Sequence, residues 1–394
     1  MQAGLAGLGI VLFMLSQAAM NHLNRKRPLR ILIVPDKFKG TLSAEAACAA
    51  IAAGWRAVRP ADDLDCLPMS DGGDGFGDVL ARLTEAKTRI VRTVDAAHRP
   101  IQANWWWAPG QSLAIVESAR VIGLAMLPER QFHPFQLDTF GLGRVLMEAV
   151  RLGAKHCLMG IGGSATNDGG FGLARALGWR FLDEQEHELD QWWQLIRLAR
   201  IVAPAVPLKL RLTVAVDVRN PLLGSRGCSA IYGPQKGLQP GDIGYADKCL
   251  RRLSEVWRRS HAVGGAHCSG AGAAGGLGFS MMAFAGAELR DGFEVFAQAA
   301  GLGQRICRAD LVITGEGAID RQTYMGKGVG QVGRLGQKLG VPCVALAGIA
   351  PRPRGRKLFW QVKALTDITP REMAKRWPAR YLQQAAASLA SEFR

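Results

Sequence analysis

A glycine-rich segment in the middle of the chain carries the densest set of chemically useful side chains. Residues 158–170 hold five glycines, three hydroxyl or amide side chains and one carboxylate. Residues 155–159, which end in the apolar Cys157-Leu158-Met159, predict a buried strand at the start of this segment, and residues 171–178 predict a short helix after it. Such a loop directs backbone N–H groups and the helix dipole toward one point, which suits an anion such as phosphate. The alternative is a tight turn of small residues, although a turn needs only one or two glycines.

Charged side chains also follow other apolar runs. Asp36 and Lys39 come after the apolar residues 31–34, and Asp217 comes directly after the mostly apolar residues 212–216. Open α/β sheets bind their ligands at the carboxyl ends of the strands. These positions therefore predict side chains that face a ligand.

A paired acidic motif, Asp71-Gly72-Gly73-Asp74-Gly75, precedes a helix predicted over residues 76–83. Helix capping explains one of the two aspartates and leaves the other to be explained. Phosphoryl transfer needs carboxylates that hold Mg²⁺, cations and N–H groups for the phosphate charge, and a carboxylate that takes a proton from the attacking hydroxyl. The sequence therefore predicts a magnesium-dependent phosphotransferase that acts on a small anion. The candidate charged residues are Asp36, Lys39, Asp71, Asp74, Asp168, Asp217, Lys236, Glu316, Asp320 and Lys327.

Other classes of site have no matching pattern in the sequence. There is no Gly-x-x-x-x-Gly-Lys-Ser/Thr loop and no protein-kinase motif. The eight cysteines form no Cys-x-x-Cys pair and the seven histidines no metal-binding pattern, which argues against a zinc site and a disulfide framework. Residues 270–275 match a dinucleotide fingerprint by letter, but no strand precedes them, so close packing of small residues is the better interpretation.

The elements that position these residues are those of an α/β protein. Buried strands are predicted over residues 30–34, 64–68, 309–313 and 341–348, and Ser43 is predicted to cap a helix over residues 44–57. Residues 88–118 instead favour antiparallel strands, in which Trp105-Trp106-Trp107 is expected to pack on one face of the sheet.

Length and charge limit the remaining possibilities. A chain of 394 residues favours two domains. The formal charge of +16 attracts anions, but the basic residues are dispersed and are not interleaved with aromatic residues, so no nucleic-acid partner is predicted.

The first 28 residues are an apolar extension with two interpretations. Residues 3–20 carry no charge and are followed by basic residues, the reverse of a signal peptide. They are either a membrane anchor, which would leave the body of the protein on the inner face of the membrane, or an over-extended start with Met20 as a possible initiator.

Seven motifs, taken together and in order, resemble the type I glycerate kinase family from about Leu29 to the C-terminal helix. They are residues 35–40, 71–75, 160–170, 217–222, 233–237, 270–278 and 314–323. The resemblance implies phosphorylation of D-glycerate by ATP with Mg²⁺, most often at the 2-hydroxyl group to give 2-phosphoglycerate. A cytoplasmic enzyme is expected, with a homo-oligomer left open and with membrane contact only if residues 3–20 are retained.

The resemblance further implies two α/β domains with the active site in the cleft between them. The first would be a discontinuous Rossmann/flavodoxin-like domain made of residues 29–88 and 291–394. The second would be a mixed α/β domain, residues 89–290, inserted into it.

Residue roles follow from the same resemblance. Asp217 is expected to be the base, Asp71 is a second candidate for base or metal contact, and Lys39 is expected to pair with the substrate carboxylate or the transferred phosphoryl group. Asp71 and Asp74 are the candidate Mg²⁺ ligands. The expected substrate and phosphate contacts are Asp36, Gly162, Gly163, Ser164, Asn167, Asp168, Lys236, Glu316, Asp320 and Lys327.

Some positions depart from the family pattern, and two other functions remain open. Asp74 stands in place of the usual glutamate, Phe76 in place of a small hydroxyl residue, and Gly328 in place of alanine-proline. The shorter side chain of Asp74 puts its metal contact in doubt. The alternatives are a kinase for another small hydroxy acid and a catalytically idle, membrane-tethered protein that binds anions.

Overall fold

The structure is a computed structural model, and it describes residues 27–393 except for 74, 130, 261–264, 327 and 351–357. Contacts between residues divide the chain into two units. The first unit contains the residues up to Ser70 and those from Ala300 onward, and the second unit runs from Asp71 to Ala299. The boundaries expected from the sequence, after residues 88 and 290, instead lie within strands of the second unit.

The strands, numbered in chain order, alternate with helices along most of the sequence. They are β1 (Arg30–Pro35), β2 (Asp63–Cys66), β3 (Lys87–Val94), β4 (Pro100–Ala108), β5 (Leu113–Glu117), β6 (His156–Gly160), β7 (Arg180–Leu182), β8 (Arg200–Val202), β9 (Arg211–Val216), β10 (Glu288–Asp291), β11 (Leu311–Ala318), β12 (Cys343–Ile349) and β13 (Gln361–Ala364).

The helices include several of only one or two turns. They are α1 (Ala44–Arg56), α2 (Phe76–Thr84), α3 (Ala119–Ile122), α4 (Phe140–Arg151), α5 (Phe171–Ala176), α6 (Cys228–Tyr232), α7 (Pro240–Ser260), α8 (Ala273–Ala285), α9 (Gly292–Ala299), α10 (Leu302–Arg308), α11 (Arg321–Met325), α12 (Gly328–Lys338), α13 (Arg371–Arg376) and α14 (Pro378–Ser391). In the described part of the chain, every helix is too short or too polar to span a bilayer. The predicted apolar segment, residues 3–20, lies outside the described residues.

The first unit is built on a parallel sheet. Among the described residues its strands lie in the order β2-β1-β11-β12-β13. Numbered within the unit this is 2-1-3-4-5, the flavodoxin-like order. The predicted Rossmann/flavodoxin-like α/β class is therefore confirmed. In this order the switch point of the sheet lies between β1 and β11, where the chain connections after the two strands run to opposite sides of the sheet.

Helix α1 shows why the chain folds locally as the sequence predicts. Ser43 caps it as expected, because the Ser43 hydroxyl oxygen accepts a hydrogen bond from the Ala46 N–H at 3.1 Å. The helix is rich in alanine and packs closely against α14. At Gly54 a Cβ atom would lie 2.1 Å from the Gln383 carbonyl oxygen, so glycine is required for this contact.

The second unit contains a mixed sheet, ordered β10-β9-β6-β5-β4-β3 in the described residues. Strands β5, β6, β9 and β10 are parallel, while β3, β4 and β5 pair antiparallel as the sequence predicts. The parallel strands end on one edge of this sheet, and that edge carries most of the predicted site residues.

The expectation that Trp105-Trp106-Trp107 packs on one face of the sheet is wrong. Trp105 and Trp107 lie in one hydrophobic cluster, and Trp106 lies in a different one. Successive side chains of a strand point to opposite faces. All three side chains are buried because both faces of β4 are covered by other elements.

Candidate active site

The first unit presents predicted site residues where β1 and β11 end. Asp36 directly follows β1 and is half-buried. Its N–H donates a hydrogen bond to the Gly315 carbonyl of β11 at 2.8 Å. Because β1 and β11 flank the switch point of the sheet, Asp36 lies where doubly wound α/β folds bind their ligands.

Lys39 lies at the same edge and is exposed. Its backbone passes close to β11, since a Cβ atom at Gly317 would be 3.3 Å from the Lys39 nitrogen. The turn that carries Lys39 is closed by a hydrogen bond from the Phe38 N–H to the Leu42 carbonyl at 2.9 Å. The backbone beneath this ammonium group is therefore fixed.

Glu316 and Asp320 help to fix helix α11. Strand β11 continues to Ala318, so Glu316 is a buried strand residue and not the loop residue that the sequence predicts. Its Oε1 accepts a hydrogen bond from the Thr323 hydroxyl at 2.6 Å. Asp320 caps α11, and its Oδ1 accepts hydrogen bonds from the N–H groups of Gln322 and Thr323. Substrate contacts by either carboxylate stay a prediction.

In the second unit, the predicted anion loop follows β6 and lies against the acidic motif. The Gly162 N–H donates to the Gly72 carbonyl at 3.3 Å. A Cβ atom at Gly162 would be only 2.8 Å from the Gly73 Cα, so a side chain at residue 162 would force the two loops apart. Gly163 is exposed at the tip.

Lys236 and Ser164, both predicted from the sequence to bind an anion, are in contact beneath this loop. The buried Lys236 ammonium donates to the Ser164 hydroxyl oxygen at 3.0 Å and to the Thr166 carbonyl at 2.6 Å. Burial lowers the pKa of Lys236 to about 8, against the charges of Cys228 and Asp168. The Ser164 oxygen accepts from Lys236, so its own proton is available for an anion.

Asp168 holds the loop from inside. It is fully buried, and its Oδ2 accepts hydrogen bonds from the N–H and hydroxyl groups of Thr139 and from the Gly172 N–H. Its Oδ1 accepts from the Gly170 N–H at 3.1 Å. Burial and the nearby Asp138 raise the pKa of Asp168 to about 6. These contacts indicate that Asp168 positions the loop, and the substrate contact expected from the sequence stays a prediction.

Asn167 and Thr166 are buried next to Asp168. The Asn167 amide donates to the Ser229 hydroxyl at 2.9 Å. Within the described part of the chain, the Thr166 hydroxyl and the Asn167 amide oxygen have no hydrogen-bond partner. Buried polar atoms are rarely left unpaired in folded proteins, so these two atoms are candidates for contact with a ligand or water. The sequence analysis did not select Thr166.

Asp71 is held in place by its glycine neighbours. Gly72 has φ +100°, and a Cβ atom there would be 3.1 Å from the Ala215 carbonyl oxygen of β9. On the other side, a Cβ atom at Gly292 would be 1.7 Å from the Asp71 carbonyl oxygen. The half-buried Asp71 therefore lies beside the ends of β9 and β10. The predicted site residues Asp74 and Lys327 lie outside the described residues.

Asp217 directly follows β9, two residues after Ala215, and is exposed. Burial and the charge of Asp217 raise the pKa of Tyr232, which indicates that the two side chains are near each other. The Tyr232 hydroxyl donates to the Asn220 amide oxygen at 2.6 Å. Asp71, Gly162 and Asp217 thus share one edge of the second sheet.

Glu117 is a site residue that the sequence analysis missed. It ends β5 and is buried, and its two oxygens accept hydrogen bonds from the N–H groups of Gly75 (3.2 Å) and Gly77 (3.0 Å). Burial raises its pKa, although these hydrogen bonds and the Arg120 charge act in the opposite direction. Arg120 lies 3.7 Å from Glu117 and stacks on Trp106. Glu117 therefore fixes the end of the acidic motif and the start of α2.

The donor set is compatible with a magnesium ion shared with a substrate. Across the described ranges, no group of three or more His, Cys, Asp or Glu side chains lies close enough to hold a metal ion. Mg²⁺ is usually held by one or two carboxylates together with substrate phosphates, and keeps several waters. Asp71, half-buried beside a loop whose Gly163 is exposed, fits that pattern.

Comparisons with known proteins show which family this chain resembles. The model of the glycerate kinase family matches residues 31–393. A glycerate kinase from Halalkalibacterium halodurans is 35% identical over 369 residues, which cover 91% of this chain and 97% of that protein. The glycerate 2-kinase of Escherichia coli K12 is 35% identical, over 81% of this chain and 85% of its own length.

A solved structure is similar as well. It is the crystal structure of a Salmonella typhimurium LT2 protein with the provisional name glycerate kinase 2, and it has a TM-score of 0.80 at 33% identity. The match covers 93% of this chain and 98% of that one. The chain is therefore a kinase that belongs to the glycerate kinase family.

Proposed function

We propose that the protein transfers the γ-phosphoryl group of ATP to the 2-hydroxyl group of D-glycerate and releases ADP and 2-phosphoglycerate. The observation that carries this proposal is the edge of the second sheet, where Asp71, the loop at Gly162 and Asp217 lie together. The name of the Escherichia coli relative, glycerate 2-kinase, supports the choice of carbon.

Asp217 is the proposed base. Its carboxylate takes the proton of the substrate hydroxyl as that oxygen attacks the γ-phosphorus, and the bond to the bridging oxygen of ADP breaks. Asp217 suits this role because it is exposed at a strand end, whereas Asp168 is fully buried. Asp71 remains the second candidate base.

Anion binding is assigned to the loop after β6. The Gly163 N–H and the Ser164 hydroxyl are proposed to hold phosphate oxygens, with Lys236 supplying positive charge beneath them. Gly162 is proposed to shape this loop, because its own N–H donates to the Gly72 carbonyl. Lys39, exposed in the first unit, is proposed to bind the carboxylate of glycerate or the transferred phosphoryl group. Mg²⁺, when bound with Asp71 and ATP, would neutralise phosphate charge.

The test is to incubate the purified protein with ATP, Mg²⁺ and D-glycerate and to identify the phosphorylated carbon by NMR. We expect a phosphate on carbon 2, and phosphate on carbon 3 would contradict the regiochemistry. L-glycerate and tartronate serve as competing acceptors. Turnover with one of them but none with D-glycerate would contradict the substrate and leave the kinase assignment in place.

We also propose that the protein acts in the cytoplasm, because ATP and a small phosphorylated acid are used there. Cell fractionation with an antibody against the C-terminal helix tests this proposal. Recovery in the soluble fraction is expected, whereas recovery in the membrane fraction would support an anchoring role for residues 3–20.

A further inference from the structure

Two cysteines of the first unit lie next to each other without a role in the proposed reaction. Cys48 belongs to α1 and is 2% exposed, whereas Cys66 ends β2 and is exposed. In the β1–β2 ladder, Cys66 pairs with Ile33. The Cys48 thiol contacts the Ile33 carbonyl oxygen at 3.5 Å, so it lies over the ladder position of Cys66.

The side chain of Cys66 faces the same helix. Leu64 packs against the hydrophobic cluster that contains Ile33 and Cys48. Residues two apart on a strand share a face of the sheet, so Cys66 points toward α1 as Leu64 does. The two thiols are close enough for each to shift the pKa of the other. The described cysteines are all free thiols in this structure.

The environment makes the two sulfur atoms chemically different. The hydrogen bond from Cys48 lowers the pKa of Cys66 to about 7, with Arg56 acting in the same direction and partial burial against it. The same hydrogen bond, together with burial, raises the pKa of Cys48 far above its usual range. At neutral pH, Cys66 is therefore substantially a thiolate, and Cys48 stays a protonated thiol. Thiolate character and exposure are what make a cysteine reactive.

We propose that Cys48 and Cys66 form a reversible disulfide when the protein meets a peroxide. In the first step, the Cys66 thiolate attacks one oxygen of hydrogen peroxide and the O–O bond breaks. Cys66 sulfenic acid forms, and the leaving hydroxide takes a proton from solvent to give water. In the second step, the Cys48 sulfur attacks the sulfenic sulfur. The S–O bond breaks, the Cys48 proton goes to the leaving hydroxide, and a second water forms. Peroxide is reduced by two electrons and the two thiols are oxidised by two, and a dithiol reductant reverses the reaction.

The Cys48–Cys66 pair lies just before the acidic motif, residues 71–75, in the chain. After Cys66, the backbone runs to Asp71, and it is held by hydrogen bonds from the Leu67 N–H to the Ile33 carbonyl at 2.8 Å and from the Met69 N–H to the Pro35 carbonyl at 2.9 Å. A disulfide would tie this strand end to α1. The proposal concerns the cysteines alone and stands or falls separately from the proposed kinase reaction.

The test uses the full-length protein, treated with graded hydrogen peroxide, alkylated, digested and analysed by mass spectrometry with and without a phosphine reductant. We expect one peptide pair linked through Cys48 and Cys66, which disappears on reduction. Cys66→Ser should abolish the link, and Cys48→Ser should leave a sulfenic acid on Cys66 that dimedone labels. Cys307→Ser, at another exposed cysteine, is the matched control and should leave the link intact.

Two results would overturn the proposal. One is a wild-type Cys66 that remains alkylatable, or is oxidised to sulfinic acid, without becoming linked to Cys48. The other is a peroxide-dependent link that joins either cysteine to a different partner.

Discussion

Replacement of Lys236 by methionine tests two effects of its buried charge: the effect on the stability of the fold and the contribution to catalysis. The folded-state pKa of Lys236 is about 8, against an ordinary 10.5. A difference of this size corresponds to roughly 3 kcal/mol, which burial of the charged form costs the folded state at pH 7. Methionine has nearly the same length and carries no charge, so the Lys236→Met substitution removes that cost.

The substitution also removes two hydrogen bonds. The Thr166 carbonyl and the Ser164 oxygen would lose their contacts with the ammonium group. A hydrogen bond from a charged donor contributes about 1.5–3 kcal/mol. The free energy lost with the two hydrogen bonds therefore equals or exceeds the free energy gained by no longer burying the charge. We expect the variant to be less stable than the wild type at pH 7 by at most about 3 kcal/mol.

The pH dependence gives the sharper test. Between pH 8 and 10.5 the unfolded wild type binds more protons than the folded wild type at Lys236, so its unfolding free energy rises with pH. Below pH 8 the lysine is charged in both states, and the cost is constant. The variant lacks this contribution. The unfolding free energy of the wild type should therefore rise relative to that of the variant by up to roughly 3 kcal/mol as the pH rises through this window.

Urea unfolding at pH 7 and pH 9.5 measures this difference, and the kinetics with ATP and D-glycerate measure the use of the charge. We expect kcat/KM to fall about 100-fold or more, as when one preorganised donor is removed from an active site. The exposed Lys209→Met is the matched control. Equal pH dependence of unfolding in the Lys236→Met variant and the wild type would refute the reasoning.

Three further substitutions test other parts of the structure. Asp217→Asn should lower kcat by about 100-fold or more with an unchanged melting temperature, whereas near-normal turnover would exclude it as the base. Glu117→Gln keeps one oxygen that can accept from the Gly77 N–H and loses the other acceptor. It should lower the free energy of unfolding in urea by about 1–2 kcal/mol and should also lower kcat. An unchanged kcat would exclude a positioning role. Asp62→Asn breaks a buried ion pair with Arg59 and should cost about 3 kcal/mol. Burial acts to raise the pKa of Asp62, but Arg59 and the hydrogen bonds hold it below its ordinary value, so this stability is full above about pH 4 and is lost as the pH falls. A variant with wild-type acid stability would contradict that account.

The sequence alone determined the features that depend on neighbouring residues. The apolar run that forms β1, the Ser43 cap of α1 and the place of Asp217 after β9 are all visible in short windows, because burial and capping act over a few residues. The family followed from seven motifs in a fixed order. The residues that fill the chemical roles were selected for the same reason, by type and by position at strand ends.

The tertiary structure decided which of those residues lie close together and which have side chains that are hydrogen-bonded inside the fold. Asp168 and Asp320 look like ligand-facing acids in the sequence, but both oxygens of Asp168 and the Oδ1 atom of Asp320 accept hydrogen bonds from the protein. Glu117 carried no local signal, because its partners at Gly75 and Gly77 lie about forty residues earlier in the chain.

The contact of Lys236 with Ser164 spans 72 residues in the sequence, and it exists only because the loops after β6 and β9 end on one edge of a sheet. Strand order and register are set by non-local pairing and by the burial of two faces at once. No short window of sequence contains that information, so candidate residues could be selected from the chain while their arrangement could not be predicted.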